Sequence, residues 1–238
     1  MITFEFEKIK PQCENFGLEL GDELCERLSI YGNLLLEWNE KMNLTAITEP
    51  EAVLYKHFYD CLLFLKHVHP EKGASLIDVG TGAGFPGMVL KIARPDLKVT
   101  LLDGLNKRLV FLGEVLKSVG LEARTVHMRA EDAGKTSEHR EKYDISCARA
   151  VAALPVLSEY CLPLVKKGGV FVAMKGQSGA DEASAAANAI KLLGGKAPQI
   201  ICETLTGEEQ RSFIITKKIS QTPPKYPRAG TKIAKNAL

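Results

Sequence analysis

The sequence predicts an α/β protein: a mostly parallel, doubly wound sheet that closes on an antiparallel hairpin and follows a helical N-terminal segment. Three observations carry this. No strand pattern occurs before residue 75; short apolar runs then alternate with helical stretches as far as Leu193; and two strand-like runs flank Gly207. The expected divisions are a helical segment over 1–70, the sheet domain over 71–218 and a basic tail over 219–238.

Leu24, Leu28, Tyr31, Leu35 and Trp38 recur every three or four positions and form one apolar stripe on a helix over about 22–40. Thr48-Glu-Pro-Glu51 has the pattern of a capping box, opening a second helix that runs to about Val68. Leu76-Ile-Asp-Val79 is the first strand, followed by a glycine-rich turn and a helix ending before Pro95. Val99–Leu102, Thr125–Met128, Ile145–Cys147 and Val170–Met174 read as the next strands. Helices over 106–120, 153–165 and 181–193 fill gaps between them. Ile200–Leu205 and Phe213–Thr216 form the hairpin, and Pro223-Pro-Lys-Tyr-Pro227 reads as an extended tail.

Composition narrows the function classes. Hydrophobic content of 45% and charged content of 25% are ordinary for a globular chain. No apolar run approaches the ~20 residues needed to span a bilayer, and the opening residues lack the pattern of a secretory signal, so a cytoplasmic protein is expected. The six cysteines contain no CxxC pair, so reduced thiols and no metal site are expected. His67-x-His69 reads as a solvated helix end. The net charge of +2 hides an asymmetry: residues 1–40 hold nine acids and three bases, whereas 212–238 hold six bases and no acid. Lys217, Lys218, Lys225 and Arg228 are therefore candidates for RNA phosphate contact. A solvated, partly mobile end is the equally weighted alternative.

Asp78-Val-Gly-Thr-Gly-Ala-Gly84 ends the first strand, where Gly80, Gly82 and Gly84 let the backbone turn tightly beside a ligand. Asp103 ends the second strand, placed to accept hydrogen bonds from ribose hydroxyls. Together they fit an adenosine-containing cofactor. Gly82-x-Gly84-x-x-Gly87 is also formally a dinucleotide fingerprint, which keeps a nicotinamide-dependent oxidoreductase as an alternative. The register beginning at Asp78 instead resembles the S-adenosyl-L-methionine loop of class I methyltransferases. Arg129, Arg149 and Lys175 follow or end the third, fourth and fifth strands on the same edge. Pairing with Glu131 and Asp132 is the competing reading for these cations.

Trp38-Asn-Glu-Lys-Met-Asn-Leu-Thr45, Asp78–Gly87, Leu102-Asp-Gly-Leu-Asn-Lys-Arg108, Ala148-Arg-Ala150 and Lys175-Gly-Gln177 resemble the ribosomal RNA small-subunit methyltransferase G family, formerly glucose-inhibited division protein B. The resemblance covers nearly the whole chain. It implies transfer of a methyl group from S-adenosyl-L-methionine to N7 of a guanine of bacterial 16S rRNA near the decoding centre, by a monomer acting on rRNA or the small subunit. It also implies cofactor contacts at Gly80 and Phe85, Asp103 on the ribose, Ala130 and Glu131 on the adenine, and Arg149 as a site arginine. Arg129 and Arg211 match two further functional arginines, for RNA or catalysis. The sequence departs from the family at Cys61, where Ser is expected, at Gly104, and at Lys232-Ile233 in the tail. A non-catalytic RNA-binding or ribosome-binding module that kept the fold is a third alternative. Guanine N7 carries a free in-plane lone pair, so its methylation needs alignment and electrostatics and no general base.

Overall fold

In the computed structural model, which describes residues 2–207 and 209–238, seven strands form one sheet. They are β1 (Ser75–Val79), β2 (Lys98–Asp103), β3 (Arg124–His127), β4 (Tyr143–Arg149), β5 (Val165–Lys175), β6 (Gln199–Thr206) and β7 (Glu209–Lys217). Their spatial order is β3-β2-β1-β4-β5-β7-β6. β1 pairs in parallel with β2 and β4, whereas β7 runs antiparallel to β5 and β6. The chain winds outward in opposite directions from β1 and β4, so the crevice for a ligand lies beyond their carboxyl ends.

The helices α1 (Lys10–Glu14), α2 (Asp22–Met42), α3 (Pro50–Val53) and α4 (Asp60–His67) precede the sheet. α5 (Gly87–Ala93), α6 (Asn106–Ser118), α7 (Ala130–Ala133), α8 (Leu154–Cys161), α9 (Gly179–Ala185) and α10 (Ala187–Leu192) lie between its strands, and α11 (Gly230–Lys235) follows β7. Because side chains alternate along a strand, each strand feeds two cores. Leu76 joins Leu28, Leu35, Phe58, Met88 and Phe111 on one face; Ile77 joins Leu154, Leu157, Phe171 and Ile190 on the other. The N-terminal helices thus share a core with the sheet. Tyr31 of α2 is fully buried and donates its hydroxyl hydrogen to the Ala83 carbonyl in the glycine loop.

Several local expectations are corrected. The helix expected to open on a Thr48 capping box starts at Pro50, with Glu49 as a cap that makes no side-chain bond. Pro50 takes the first helical position, where its missing N–H is no loss. A π-helical turn, Leu54–Tyr59, joins α3 to α4 and carries His57 into the interior beside Asp60. The helix expected over 153–165 ends at Cys161 and tightens into a 3-10 turn, Leu162–Leu164, because Pro163 cannot donate to the helical ladder. The 181–193 helix divides at Ala186, and α7 and α11, four and six residues long, were too short to leave a periodic signal. His67 is packed on Phe213 at 5.0 Å and sits 2.9 Å from Glu203, so it is not a solvated cap.

The basic tail is built into the protein. Arg140 donates to the carbonyls of Thr222, Pro223 and Tyr226, and Ile233 is completely buried. Two of the four expected phosphate contacts are corrected. Lys218 is 0% exposed, donates to the Leu162 carbonyl and Thr222 Oγ1, and lies 3.3 Å from Glu141. An amine with no surface cannot reach RNA. The Arg228 guanidinium grips the fully buried Glu159 carboxylate at 2.7 Å, which occupies the donors a phosphate would need. Lys217 and Lys225 remain exposed.

Candidate active site

The glycine loop is held by one buried acid. Asp78 Oδ2 accepts from Thr81 Oγ1 at 2.6 Å and from the Gly87 N–H at 2.8 Å, tying the start of the loop to the start of α5. Burial pushes its pKa up to about 6, against those two hydrogen bonds. Gly80 has φ +67°, and a Cβ there would lie 2.8 Å from Val151 Cγ2 across the crevice. Glycine tolerates that backbone and the close approach of Val151. Gly84 differs: a Cβ there would strike the Tyr31 hydroxyl at 2.7 Å and Leu112 Cδ2 at 2.8 Å. It packs beneath α2.

Two clefts lie at the carboxyl edge of the sheet. The first, about 570 Å³, is lined by Gly80, Asp103, Arg129, Ala130 and Glu131, among others. Asp103 Oδ2 accepts from the Gly82 N–H at 2.9 Å and Oδ1 from the Leu105 N–H at 2.8 Å, while Arg108 lies 3.3 Å away. The carboxylate therefore both clamps the loop and faces the cleft. Among the described residues Arg129 makes no ion pair, so the expected alternative of pairing with Glu131 or Asp132 is not what holds it.

The second cleft, about 300 Å³, gathers Lys56, His57, Asp60, Arg149, Lys175 and Arg211. Arg149 and Lys175 arrive from the ends of β4 and β5, Arg211 from β7, and the rest from the helical segment. Arg149 donates to the Lys56 carbonyl and Asp60 Oδ2, both at 2.9 Å, and to His57 Nδ1 at 3.0 Å. Arg211 Nε lies 3.2 Å from Asp60 Oδ1, and its Nη2 donates to Glu209 at 2.8 Å. One fully buried carboxylate thus bridges two arginines. Lys175 pairs with Glu182 at 2.7 Å and donates to the Ala152 carbonyl, bracing the loop after β4. Ala150, with φ +57°, lines both clefts.

Phe85 lies on the arginine side. It stacks on His57 at 4.2 Å with Arg149 over its ring at 4.8 Å, and it does not line the first cleft. Asp60 and His57 had not been singled out. The available signal was an acid inside the otherwise apolar run Phe58–Leu65.

Burial, then Arg149, pushes the His57 pKa down to about 3. A guanidinium can only donate, so Nδ1 accepts and the proton sits on Nε2, 2.9 Å from Thr45 Oγ1. A depressed folded pKa contributes stability that is complete above the unfolded value near 6.5 and lost as pH falls toward about 3. Asp78, with its raised pKa, acts in the opposite sense below about 6. Urea unfolding at pH 7 and 5 should therefore show His57→Gln losing roughly 2 kcal/mol less on acidification than the wild type. Equal losses in the two proteins would exclude the imidazole from this role.

The sheet order with β7 antiparallel beside β5, and the glycine loop facing Asp103, define a class I S-adenosyl-L-methionine-dependent methyltransferase. The fold is similar to that of a protein from Methanococcus maripaludis described as such an enzyme, with TM-score 0.56, 14% identity, and coverage of 80% of this chain and 93% of that one. It is also similar to precorrin-6y C5,15-methyltransferase from Geobacter metallireducens, with TM-score 0.52, 14% identity, and coverage of 72% and 90%. In sequence it is 50% identical over 225 residues to the ribosomal RNA small subunit methyltransferase G of Acetivibrio thermocellus, covering 94% of this chain and 92% of that one. It is 44% identical over 235 residues to the protein of the same name from Clostridium perfringens strain 13, covering 98% of each. The chain belongs to the GidB family, rRNA small subunit methyltransferase G, which matches residues 24–213. The oxidoreductase alternative falls with this.

Proposed function

We propose that this chain, acting as a monomer in the cytoplasm, methylates N7 of a guanine in the 16S rRNA of the small ribosomal subunit. The observation that carries the reading is that Ala150 lines both a cleft suited to an adenosine cofactor and a cleft lined by arginines and lysines. The first cleft fits S-adenosyl-L-methionine: Gly80 lines it with bare backbone, and Asp103, at the end of β2, carries carboxylate oxygens for ribose hydroxyls. Ala130 and Glu131 line the same cleft. When bound there, the cofactor supplies a methyl group already activated on a sulfonium.

The residues of the second cleft act by position and charge. His57 is neutral with its accepting nitrogen occupied by Arg149, and Asp60 is buried between two arginines. Neither is placed as a base, which suits attack by a lone pair that carries no proton. Guanine presents O6 beside N7, and an arginine donor on O6 or on a phosphate holds the base while leaving N7 free. Arg149 and Arg211 are the donors for this, with Lys56 and Lys175 supporting the field. Arg129, at the cofactor cleft, is assigned to RNA backbone at its mouth.

Methyl transfer from tritiated cofactor to small subunits and to naked 16S rRNA, followed by mapping of the modified base, tests the whole reading. RNA binding without transfer would favour the non-catalytic alternative. Asp103→Ala should lose roughly 1–3 kcal/mol of cofactor affinity in calorimetry, the scale of charge-assisted hydrogen bonds. Unchanged affinity would move the cofactor away from this cleft.

A further inference from the structure

We infer that the C-terminal segment, from Arg228 through α11, is a wall of the cofactor site and holds the nucleoside end of S-adenosyl-L-methionine. The inference rests on the cofactor cleft proposed above. Gly230, Thr231 and Ala234 line that cleft together with Gly80, Asp103 and Glu131. Ala150 is common to this cleft and the arginine pocket, which places the methyl group at that end. With the ribose at Asp103, the purine then extends away from Ala150, toward Glu131 and the tail.

The wall is firmly mounted. Arg228 donates through its backbone N–H at 2.7 Å and its guanidinium at 2.7–3.1 Å to the buried Glu159 of α8. Arg140 clamps the carbonyls of Thr222, Pro223 and Tyr226 before it, and Ile233 of α11 is completely buried. The faces turned to the cleft are small. A Cβ on Gly230 would come within 2.0 Å of Glu131 Oε1, so the tail backbone and the Glu131 carboxylate are already in contact. Gly230 and Ala234 offer a low, apolar surface of the kind a flat purine packs against. Lys232 and Lys235 are exposed. They make the same segment readable by trypsin.

The test uses the full chain. Calorimetry with S-adenosyl-L-methionine is run on the wild type, on Ala234→Trp and on Asp103→Ala. Ala234 is exposed, so the indole should be tolerated by the fold while filling the cleft. Ala234→Trp is expected to weaken binding at least about tenfold with a melting temperature near that of the wild type. In the wild type, saturating cofactor should slow tryptic cleavage after Lys232 and Lys235. Wild-type affinity in Ala234→Trp, or cleavage that ignores the cofactor, overturns the inference. If Asp103→Ala still weakens binding in that case, the cleft assignment survives and only the wall is lost. If neither variant changes affinity, the cleft assignment itself is wrong.

Discussion

Arg149→Ala should reduce methyl transfer by roughly 10²–10³-fold, the cost of removing one preorganised donor from a reacting centre. It should also destabilise the fold, a consequence that strand-end position alone does not reveal. Its side chain is 15% exposed, and its main partner, Asp60, is 1% exposed. Removing one partner of such a pair leaves a charge buried without its counter-ion, at about 3–5 kcal/mol. Arg211 Nε, 3.2 Å from the other Asp60 oxygen, recovers part of this. A melting temperature lower by roughly 10 °C is therefore expected for the alanine variant. Arg149→Lys separates the two effects. An ammonium can still pair with Asp60 but cannot span Asp60, His57 and the Lys56 carbonyl as the planar fork does. It should melt within a few degrees of wild type yet lose most of the transfer rate in single-turnover assays on small subunits. Wild-type turnover in Arg149→Lys would place the substrate elsewhere.

What the sequence disclosed and what it hid follow from the range of each interaction. The glycine loop and Asp103 were legible because strand, turn and helix follow one another in the chain. Arg149 and Lys175 were legible because parallel strands bring their carboxyl ends to one edge. The Arg149–Asp60 pair joins residues 89 apart through a π-helical turn, and periodicity carries no trace of such a contact. Tyr31, 52 residues from the Ala83 it bonds and stacked on Phe85, contacts the glycine loop without leaving a trace in the loop motif. The tail is the most instructive case. Phe213 and Ile214 fill opposite cores, so the strand carries no alternation that separates Lys217 from Lys218. Lys218 is buried by the Leu162 carbonyl, Thr222 and Glu141, contacts that the strand pattern does not contain.

Burial and pairing divide the tail cations into two pairs with opposite expected behaviour. Lys218→Met leaves the Leu162 carbonyl, Thr222 Oγ1 and Glu141 without their common donor, and Arg228→Ala strands Glu159, which is 0% exposed. Each should cost about 3–5 kcal/mol of stability in urea unfolding, the scale for breaking a buried pair. Neither should alter directly how binding to small subunits depends on salt, since neither group is free to displace a counterion. Lys217→Gln with Lys225→Gln is the reverse. Both side chains are exposed, and Lys225 only rests over the Tyr226 ring at 5.2 Å. Stability should stay within about 0.5 kcal/mol, as for most surface changes. If both lysines touch phosphates, the slope of log affinity against log salt should flatten by roughly one to two units, at about 0.7–0.9 per contact. Parallel salt titrations for this double variant and the wild type would remove Lys217 and Lys225 from the RNA interface.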